Sequence, residues 1–231
     1  MSVERIREEV AETARMIVAA GLVEAFGHVS ARLPGGGVAI TSTRPMNQAR
    51  AEDVVLLDES GAAVGGALED VPLEIWLHLE TYAARPDVSA ICRGHSPAAV
   101  AWGVSDADLP ALHGLGLLAG RRVRVHDDIA LVSTPERGRA AAERLGPDQA
   151  LLLRANGALA VGGSLLEAAT RLYALEERAR VAIGPSPSAA RPVAEAEWDA
   201  REPDGVKELV RACRWFAHRF RPARNDRHDQ N

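Results

Sequence analysis

The chain has 231 residues, of which 47% are hydrophobic and 26% charged, and its net charge is -5. This composition supports a buried core, and the length suits one large domain better than two small ones. Basic residues are interleaved with acidic ones, which disfavours nucleic acid as a partner. No apolar run approaches the roughly 18 residues of a membrane span, and residues 1–22 predict a charged amphipathic helix, so we expect a cytoplasmic protein without a membrane partner.

Hydrophobic periodicity divides the chain into helices and strands, with Gly and Pro at their boundaries. The predicted elements are, in chain order, a helix at 3–20, a hairpin of strands at 29–33 and 38–43, a strand at 53–58, a helix from 72 to 85, a strand at 88–92, a helical turn at 95–104, a strand at 123–126, a helix at 135–145, two strands around an Asn-Gly turn at 150–162, a helix at 164–183 and a last helix at 206–220. This intermixed order predicts a mixed sheet flanked by helices, an α/β fold.

Two of the predicted helices begin with recognisable capping residues. Thr134 stands before Pro135, which suits the first helical position. Ser164 is followed three residues later by Glu167, which is the pattern of a capping box. Both signals support the predicted helix starts.

Polar residues at the end of a predicted strand are the first candidates for chemistry. Arg93 and His95 are two residues apart, so their side chains share one face of the strand. Glu74 lies near the start of the helix that begins at residue 72, where a carboxylate also favours the helix dipole. His78 follows four residues later on the same helix face. A structural role explains Glu74 as well as a chemical one does.

Other polar residues have structural explanations of their own. Asn156 before Gly157 is typical of a type I′ hairpin turn, in which both central residues need positive φ. His28 precedes a strand and fits either a core histidine or a site residue. The sequence contains no Walker loop, no dinucleotide-binding glycine motif, no Cys-x-x-Cys pair and no Gly-x-Ser-x-Gly motif. Nucleotide-binding, zinc-ribbon and hydrolase functions therefore lose their usual support.

Several blocks of the sequence, in the same order, resemble the class II aldolase/adducin family, which includes fuculose-phosphate aldolase and ribulose-phosphate 4-epimerase. The blocks are AGLVEAFGHVSARL, VAITST with EDVVLLDESG, PLEIWLHLETYAARPDVSAICRGHSP, and ALLLRANGALAVGGSLLEAATRLYALEERA. The resemblance implies a single three-layer α/β/α domain with a central mixed, largely antiparallel sheet. It also implies a homotetramer with active sites between subunits.

The resemblance also suggests how the chain is organised. We expect a class II aldolase-like domain over residues 1–183. Residues 184–221 form an extension with one helix, which packs on the same domain or on a neighbouring subunit. Residues 222–231 are expected to be a disordered tail.

The family's metal site is altered in this sequence. Members bind a divalent metal through a His-x-His pair, a later His before Gly and sometimes a nearby Glu. Glu74 and His95 match two of these positions, but Arg93 and Asn156 replace the other two histidines. Because a guanidinium has no lone pair to offer, we expect no metal and no other cofactor, with weak binding of a divalent metal as the alternative.

These replacements lead to a hypothesis about the chemistry. Family members cleave or rearrange small hydroxy-carbonyl or hydroxy-acid substrates through an enolate. Arg93 is predicted to hold a substrate carboxylate or the enolate in a bidentate fork, in place of the metal's charge. His95 and Asn156 would donate further hydrogen bonds, and Glu74 would be the general acid or base.

The predicted protein is therefore a carbon-carbon lyase, of decarboxylase or aldolase type, acting on a small hydroxy or keto carboxylic acid. The loop at 40–44 lacks the Ser-Gly pair of sugar-phosphate members, so a phosphorylated substrate is not assured. The residues predicted to line the substrate side are His28, Ser30, Thr43 and Arg44. Two alternatives remain open, namely an isomerase or dehydratase that uses the same enolate, and an inactive binding or scaffold module of the adducin type.

Overall fold

The computed structural model describes residues 2–65, 70–105, 107–184 and 190–222. Its helices are α1 Val3–Ala19, α2 Ile75–Ala84, α3 Pro97–Gly103, α4 Pro135–Leu145, α5 Leu165–Ala182 and α6 Glu195–Phe220. Its strands are β1 His28–Arg32, β2 Val38–Ile40, β3 Val55–Leu57, β4 Ala63–Gly65, β5 Ala90–Gly94, β6 Val123–His126, β7 Ala150–Leu153 and β8 Ala158–Gly162. Among the described helices, none has the length and apolar character needed to cross a bilayer.

The strands form one mixed sheet in the order β4-β3-β2-β1-β5-β8-β7-β6. Only β6 and β7 pair in parallel, and every other neighbouring pair is antiparallel. The predicted mixed, largely antiparallel sheet is confirmed. Because β5 pairs with β8, the end of β5 lies beside the turn that joins β7 to β8.

Helices cover both faces of this sheet. Along β5, Cys92 belongs to a core shared with α1, α3 and α5, whereas Ile91 belongs to a core shared with α2 and α4. Such alternation follows from the two-residue period of a strand, and both cores are built mainly from aliphatic residues. The prediction of a three-layer α/β/α domain is confirmed.

Local capping signals explain several of the helix ends. The Thr134 hydroxyl accepts a hydrogen bond from the Arg137 N–H at the start of α4. At α5 the Ser164 hydroxyl accepts from the Glu167 N–H, but the Glu167 carboxylate accepts from the Gly163 N–H rather than from that of Ser164. The predicted capping box is therefore only half formed.

The last helix differs most from its prediction. It begins at Glu195 rather than at residue 206, and it includes Pro203. Proline usually ends a helix because it lacks an N–H and clashes with the preceding turn, so the sequence pattern hid the first half of α6. In the structure, Arg121 contacts Glu195 and Asp199 and holds this exposed half against the domain. Most of the predicted tail, residues 223–231, and part of the predicted extension, residues 185–189, lie outside the described residues.

Candidate active site

Three segments meet where β5 ends. Glu74 immediately precedes α2, Arg93 lies in β5 with His95 just after it, and Asn156 lies in the β7–β8 turn. Helix α2 begins at Ile75, so Glu74 precedes the first helical residue instead of following it. Its neighbour Leu73 is 73% exposed and lies outside the helix.

Arg93 is the centre of this cluster and is fully buried, with 0% of its surface exposed. Its Nη2 lies 2.8 Å from Glu74 Oε2 and donates a hydrogen bond to the Asn156 carbonyl at 3.0 Å. Its Nη1 lies 2.7 Å from His95 Nδ1 and 2.8 Å from His95 Nε2. Because both N–H groups of Nη2 are used within the protein, the predicted bidentate fork for a substrate is not free.

Glu74 is hydrogen-bonded at both carboxylate oxygens. Its Oε1 accepts from Asn156 Nδ2 at 3.1 Å and from the Val132 N–H at 3.3 Å, while Oε2 pairs with Arg93. The side chain is 8% exposed. Each carboxylate oxygen of Glu74 therefore has an N–H donor within reach, and the carboxylate lies beside the buried Arg93 guanidinium.

His95 faces oxygen atoms at both ring nitrogens. Its Nδ1 is 2.8 Å from the Phe26 carbonyl, and its Nε2 is 3.1 Å from Asn156 Oδ1. Burial and the Arg93 charge lower the pKa of His95, although its bonds to Phe26 and Asn156 oppose this shift. A neutral imidazole has one N–H, so the ring can donate to only one of these two oxygens at a time.

The four residues predicted to be catalytic are thus brought together, and two of them reach the surface. Glu74 and Arg93 are buried, whereas His95 and Asn156 are partly exposed. Of the four residues, His95 and Asn156 are therefore the two that a molecule arriving from solvent can contact. The buried Glu74–Arg93 pair lies behind them.

The residues predicted to line the substrate side do not all lie beside the cluster. Arg93 and His28 lie directly opposite each other across the β1–β5 pair, so His28 adjoins the cluster. Thr43 and Arg44 are exposed, and Arg44 Nη1 lies 2.9 Å from Asp53 Oδ1. In the described ranges neither Thr43 nor Arg44 hydrogen-bonds to the cluster around Arg93.

Ser30 is fully buried behind the cluster and has no surface exposed to solvent. Its hydroxyl lies 2.7 Å from His78 Nδ1 and 2.8 Å from the Tyr82 hydroxyl. Sequence reasoning missed Tyr82 as a polar partner, although it follows His78 by four residues and so shares its helix face. It also missed the backbone groups of Phe26 and Val132, which carry no sequence signal.

The turn that carries Asn156 is not the predicted type I′ turn. Positive φ occurs at Ala155, at 53°, and at Gly157, at 82°, and Asn156 is not among the residues with positive φ. The turn spans four residues between β7 and β8. The amide of Asn156 is held by Glu74 and His95, and this arrangement replaces the two-residue hairpin geometry.

Gly157 allows this turn to approach β5. A Cβ atom at this position would lie 2.1 Å from the Gly94 carbonyl oxygen. We expect Gly157→Ala to lower the free energy of unfolding by about 3 kcal/mol or more, because positive φ and a backbone clash act together. The control is Gly35→Ala, which also has positive φ but no atom within 4 Å of the added Cβ. In a urea titration, Gly35→Ala should lower the free energy of unfolding by about 1 kcal/mol. Equal losses in the two variants would show that the close approach to Gly94 does not restrict residue 157.

The buried histidine gives the protein a predictable pH dependence. Burial, followed by the Arg93 charge, lowers the pKa of His78 from 6.5 to about 3. Below pH 6.5 the unfolded chain binds a proton at this residue and the folded chain does not, so stability is lost as the pH falls toward 3, by up to about 1.4 kcal/mol per pH unit. We expect the free energy of unfolding to fall less between pH 7 and pH 5 in His78→Gln than in the wild type. The same slope in both proteins would show that His78 is not the source.

The geometry and the fold agree with comparisons to known proteins. The family model for the class II aldolase and adducin N-terminal domain matches residues 8–183. The chain therefore belongs to the class II aldolase/adducin family. An L-fuculose 1-phosphate aldolase from Glaciozyma antarctica has the same fold, with a TM-score of 0.78 and 20% identity over 95% of this chain and 92% of that one.

Two relatives indicate the chemistry of the family near this chain. A 3,4-dihydroxyphthalate decarboxylase from Rhodococcus jostii is 27% identical over 201 residues, which cover 78% of this chain and 80% of that protein. A 5-methylthioribulose-1-phosphate/5-deoxyribulose-1-phosphate aldolase from Escherichia coli is 28% identical over 171 residues, which cover 70% and 76%. Decarboxylases and aldolases are both lyases, so the predicted enzyme class is confirmed at the level of the homologues.

The donor atoms of the cluster do not fit the divalent metal that this family usually uses. Arg93 has only N–H donors, and its two terminal nitrogens lie against Glu74 and His95, the residues that retain ligand atoms. Within the described residues, no group of three or more His, Cys, Asp and Glu side chains could hold a metal ion. A zinc site normally needs three protein ligands, and the guanidinium takes up the space between the two that remain.

Proposed function

We propose that this protein is a metal-independent lyase that decarboxylates a small hydroxylated carboxylic acid. The observation that carries the proposal is the buried Arg93 guanidinium, which lies between Glu74 and His95 where the family's pattern calls for a metal ligand. Decarboxylation leaves an electron pair on carbon, and an adjacent positive charge stabilises the resulting enolate. A fixed guanidinium supplies such a charge without a metal.

The chain's own residues divide this work. Arg93 Nη1 lies against both ring nitrogens of His95, and Nη2 is bonded to Glu74 and Asn156, so the guanidinium acts as a fixed nearby charge. Asn156 and His95, the partly exposed members of the cluster, orient the substrate. His95, the partly exposed titratable member of the cluster, delivers the proton to carbon, while the Phe26 carbonyl and Asn156 Oδ1 orient its ring.

Exposed apolar side chains beside the cluster support a ring-containing substrate over a phosphorylated sugar. Phe26 is 71% exposed with its ring 6.1 Å from that of His95, and Leu131, beside the Glu74 partner Val132, is 49% exposed. Apolar side chains favour an apolar ring. Arg44, which could serve a phosphate, is already paired with Asp53.

A second candidate is an aldolase for a phosphorylated five-carbon sugar, which the Escherichia coli relative favours. The two candidates differ in their products. We therefore expect the purified protein, in buffer with EDTA, to release carbon dioxide from 3,4-dihydroxyphthalate and to leave 5-deoxyribulose 1-phosphate intact. His95→Ala should reduce the rate by about 100-fold to 10,000-fold.

The control for this experiment is Gly35→Ala, which lies in the β1–β2 turn, outside the residues assigned to the site. Cleavage of the sugar phosphate alone would replace the decarboxylase by the aldolase. No product from either compound or from related hydroxy acids would favour the inactive scaffold module.

The assembly and location of the protein are also proposals. The exposed side chains of Phe26, Leu73 and Ile129 at this end of the domain support burial against a second subunit, and the family resemblance implies a homotetramer. Light scattering of the purified protein would measure its mass. The unpaired thiols of Cys92 and Cys213 support a reducing compartment such as the cytoplasm.

A further inference from the structure

Behind the cluster, three buried nitrogen atoms have no hydrogen-bond partner among the described residues. They are His28 Nδ1, His78 Nε2 and Arg93 Nε. Buried polar atoms in folded proteins nearly always have a partner, and exceptions call for an explanation. Three such atoms on neighbouring side chains call for a common explanation.

The three side chains lie next to one another. His28 and Arg93 are directly opposite across two paired strands, on the face that α2 covers. The rings of His28 and His78 meet edge to face, with their centroids 5.7 Å apart. Arg93 and His78 are both fully buried. His28 is partly exposed, so the group of three side chains reaches the surface at this residue.

The hydrogen-bond chain behind His78 determines which of its nitrogens carries the proton. If the Tyr82 hydroxyl donates to Ser30 and the Ser30 hydroxyl donates to His78 Nδ1, both hydroxyl hydrogens are used. The opposite direction leaves the Tyr82 hydrogen without an acceptor among the described residues. The first direction is therefore the favoured one. Because His78 Nδ1 then accepts a hydrogen bond, the proton of the neutral ring is on Nε2, which is an N–H donor. Arg93 Nε is a donor in every state of the protein.

We propose that His28, His78 and Arg93 form a buried subsite that receives one oxygen atom of a small carboxylate, bound by the N–H groups of His78 Nε2 and Arg93 Nε. Ser30 and Tyr82 are positioning residues that keep His78 in its donor form. The assignment of this oxygen to the substrate's carboxyl group rests on the proposed decarboxylase function. The subsite itself does not.

The test uses acetate as the probe and the full-length protein labelled with ¹⁵N. Side-chain nitrogen spectra should show His78 as the neutral form protonated at Nε2 at pH 7. Acetate should bind saturably and shift this signal. Tyr82→Phe keeps the ring but removes the donor to Ser30, so it should mix the two neutral forms of His78 and weaken acetate binding roughly tenfold, the effect of about one buried hydrogen bond.

The chain offers a matched control in its second tyrosine. Tyr173 packs against the aromatic residues of α6, remote from the cluster, so Tyr173→Phe should leave the His78 signal and acetate binding unchanged.

Three results would overturn the subsite. One is a His78 ring protonated at Nδ1, and another is acetate binding that leaves the His78 signal in place. A third is a His78 Nε2–H signal that does not respond to acetate at any concentration, which would mean that only water binds there. Acetate binding without turnover of 3,4-dihydroxyphthalate would keep the subsite and reject the decarboxylase. Turnover of 3,4-dihydroxyphthalate without an acetate effect on His78 would keep the decarboxylase and reject the subsite.

Discussion

Arg93→Met is expected to lower the free energy of unfolding by about 3 to 5 kcal/mol, because it leaves the buried Glu74 carboxylate without a counter-charge. Glu74→Gln should also be costly, since it leaves the fully buried guanidinium unpaired. The double variant removes both charges, so it should lose less than the sum of the two single losses, with a coupling of about 0.5 to 3 kcal/mol. Urea titrations of the four proteins measure this cycle.

An exposed ion pair provides the control. Arg191 Nη2 lies 2.7 Å from Glu197 Oε1, but both side chains are largely exposed. Arg191→Met should therefore change stability by about 0 to 1 kcal/mol. If Arg93→Met costs no more than this, or if the two changes at Glu74 and Arg93 simply add, the buried pair does not organise the site.

Restoring the family's histidines should create a metal site. In a variant with both Arg93→His and Asn156→His, four potential ligands converge, because Glu74 and His95 are already in place. We expect zinc at 100 times its dissociation constant to raise the free energy of unfolding of this variant by about 2.7 kcal/mol and to leave the wild type unchanged. The single variants test how many imidazoles are needed, since three protein ligands are the usual minimum.

Zinc stabilisation of the double variant alone supports the view that Arg93 and Asn156 block a site whose geometry has survived. Equal stabilisation of the wild type would mean that the guanidinium does not prevent metal binding. A folded double variant whose free energy of unfolding does not change with zinc would mean that the backbone no longer holds the ligand geometry.

Local patterns were enough to predict most of the fold. Alternating or continuously apolar runs predicted every strand except the short β4, and Thr134 and Ser164 predicted the starts of α4 and α5. The errors have physical reasons. Because proline usually ends a helix, Pro203 prevented prediction of the first half of α6. The Asn-Gly pair suggested a two-residue turn, since sequence cannot show that the Asn156 amide is held by residues distant in the chain.

The candidate site was predicted by resemblance more than by pattern. Matching the family's motif placed Glu74, Arg93, His95 and Asn156 together, and the structure joins them in one network. The direction of the Arg93 hydrogen bonds was beyond sequence reasoning, because it depends on which acceptors lie within reach after folding. The link from Ser30 to α2 spans 48 residues of sequence, so no local period could reveal it.

We propose that a guanidinium has taken the place of a metal ion in this member of the family. Calorimetric titration of zinc into the metal-stripped wild-type protein tests it most directly, with His95→Ala titrated in parallel. We expect no stoichiometric binding that depends on His95. One zinc ion bound per chain in the wild type, and lost in His95→Ala, would contradict the claim.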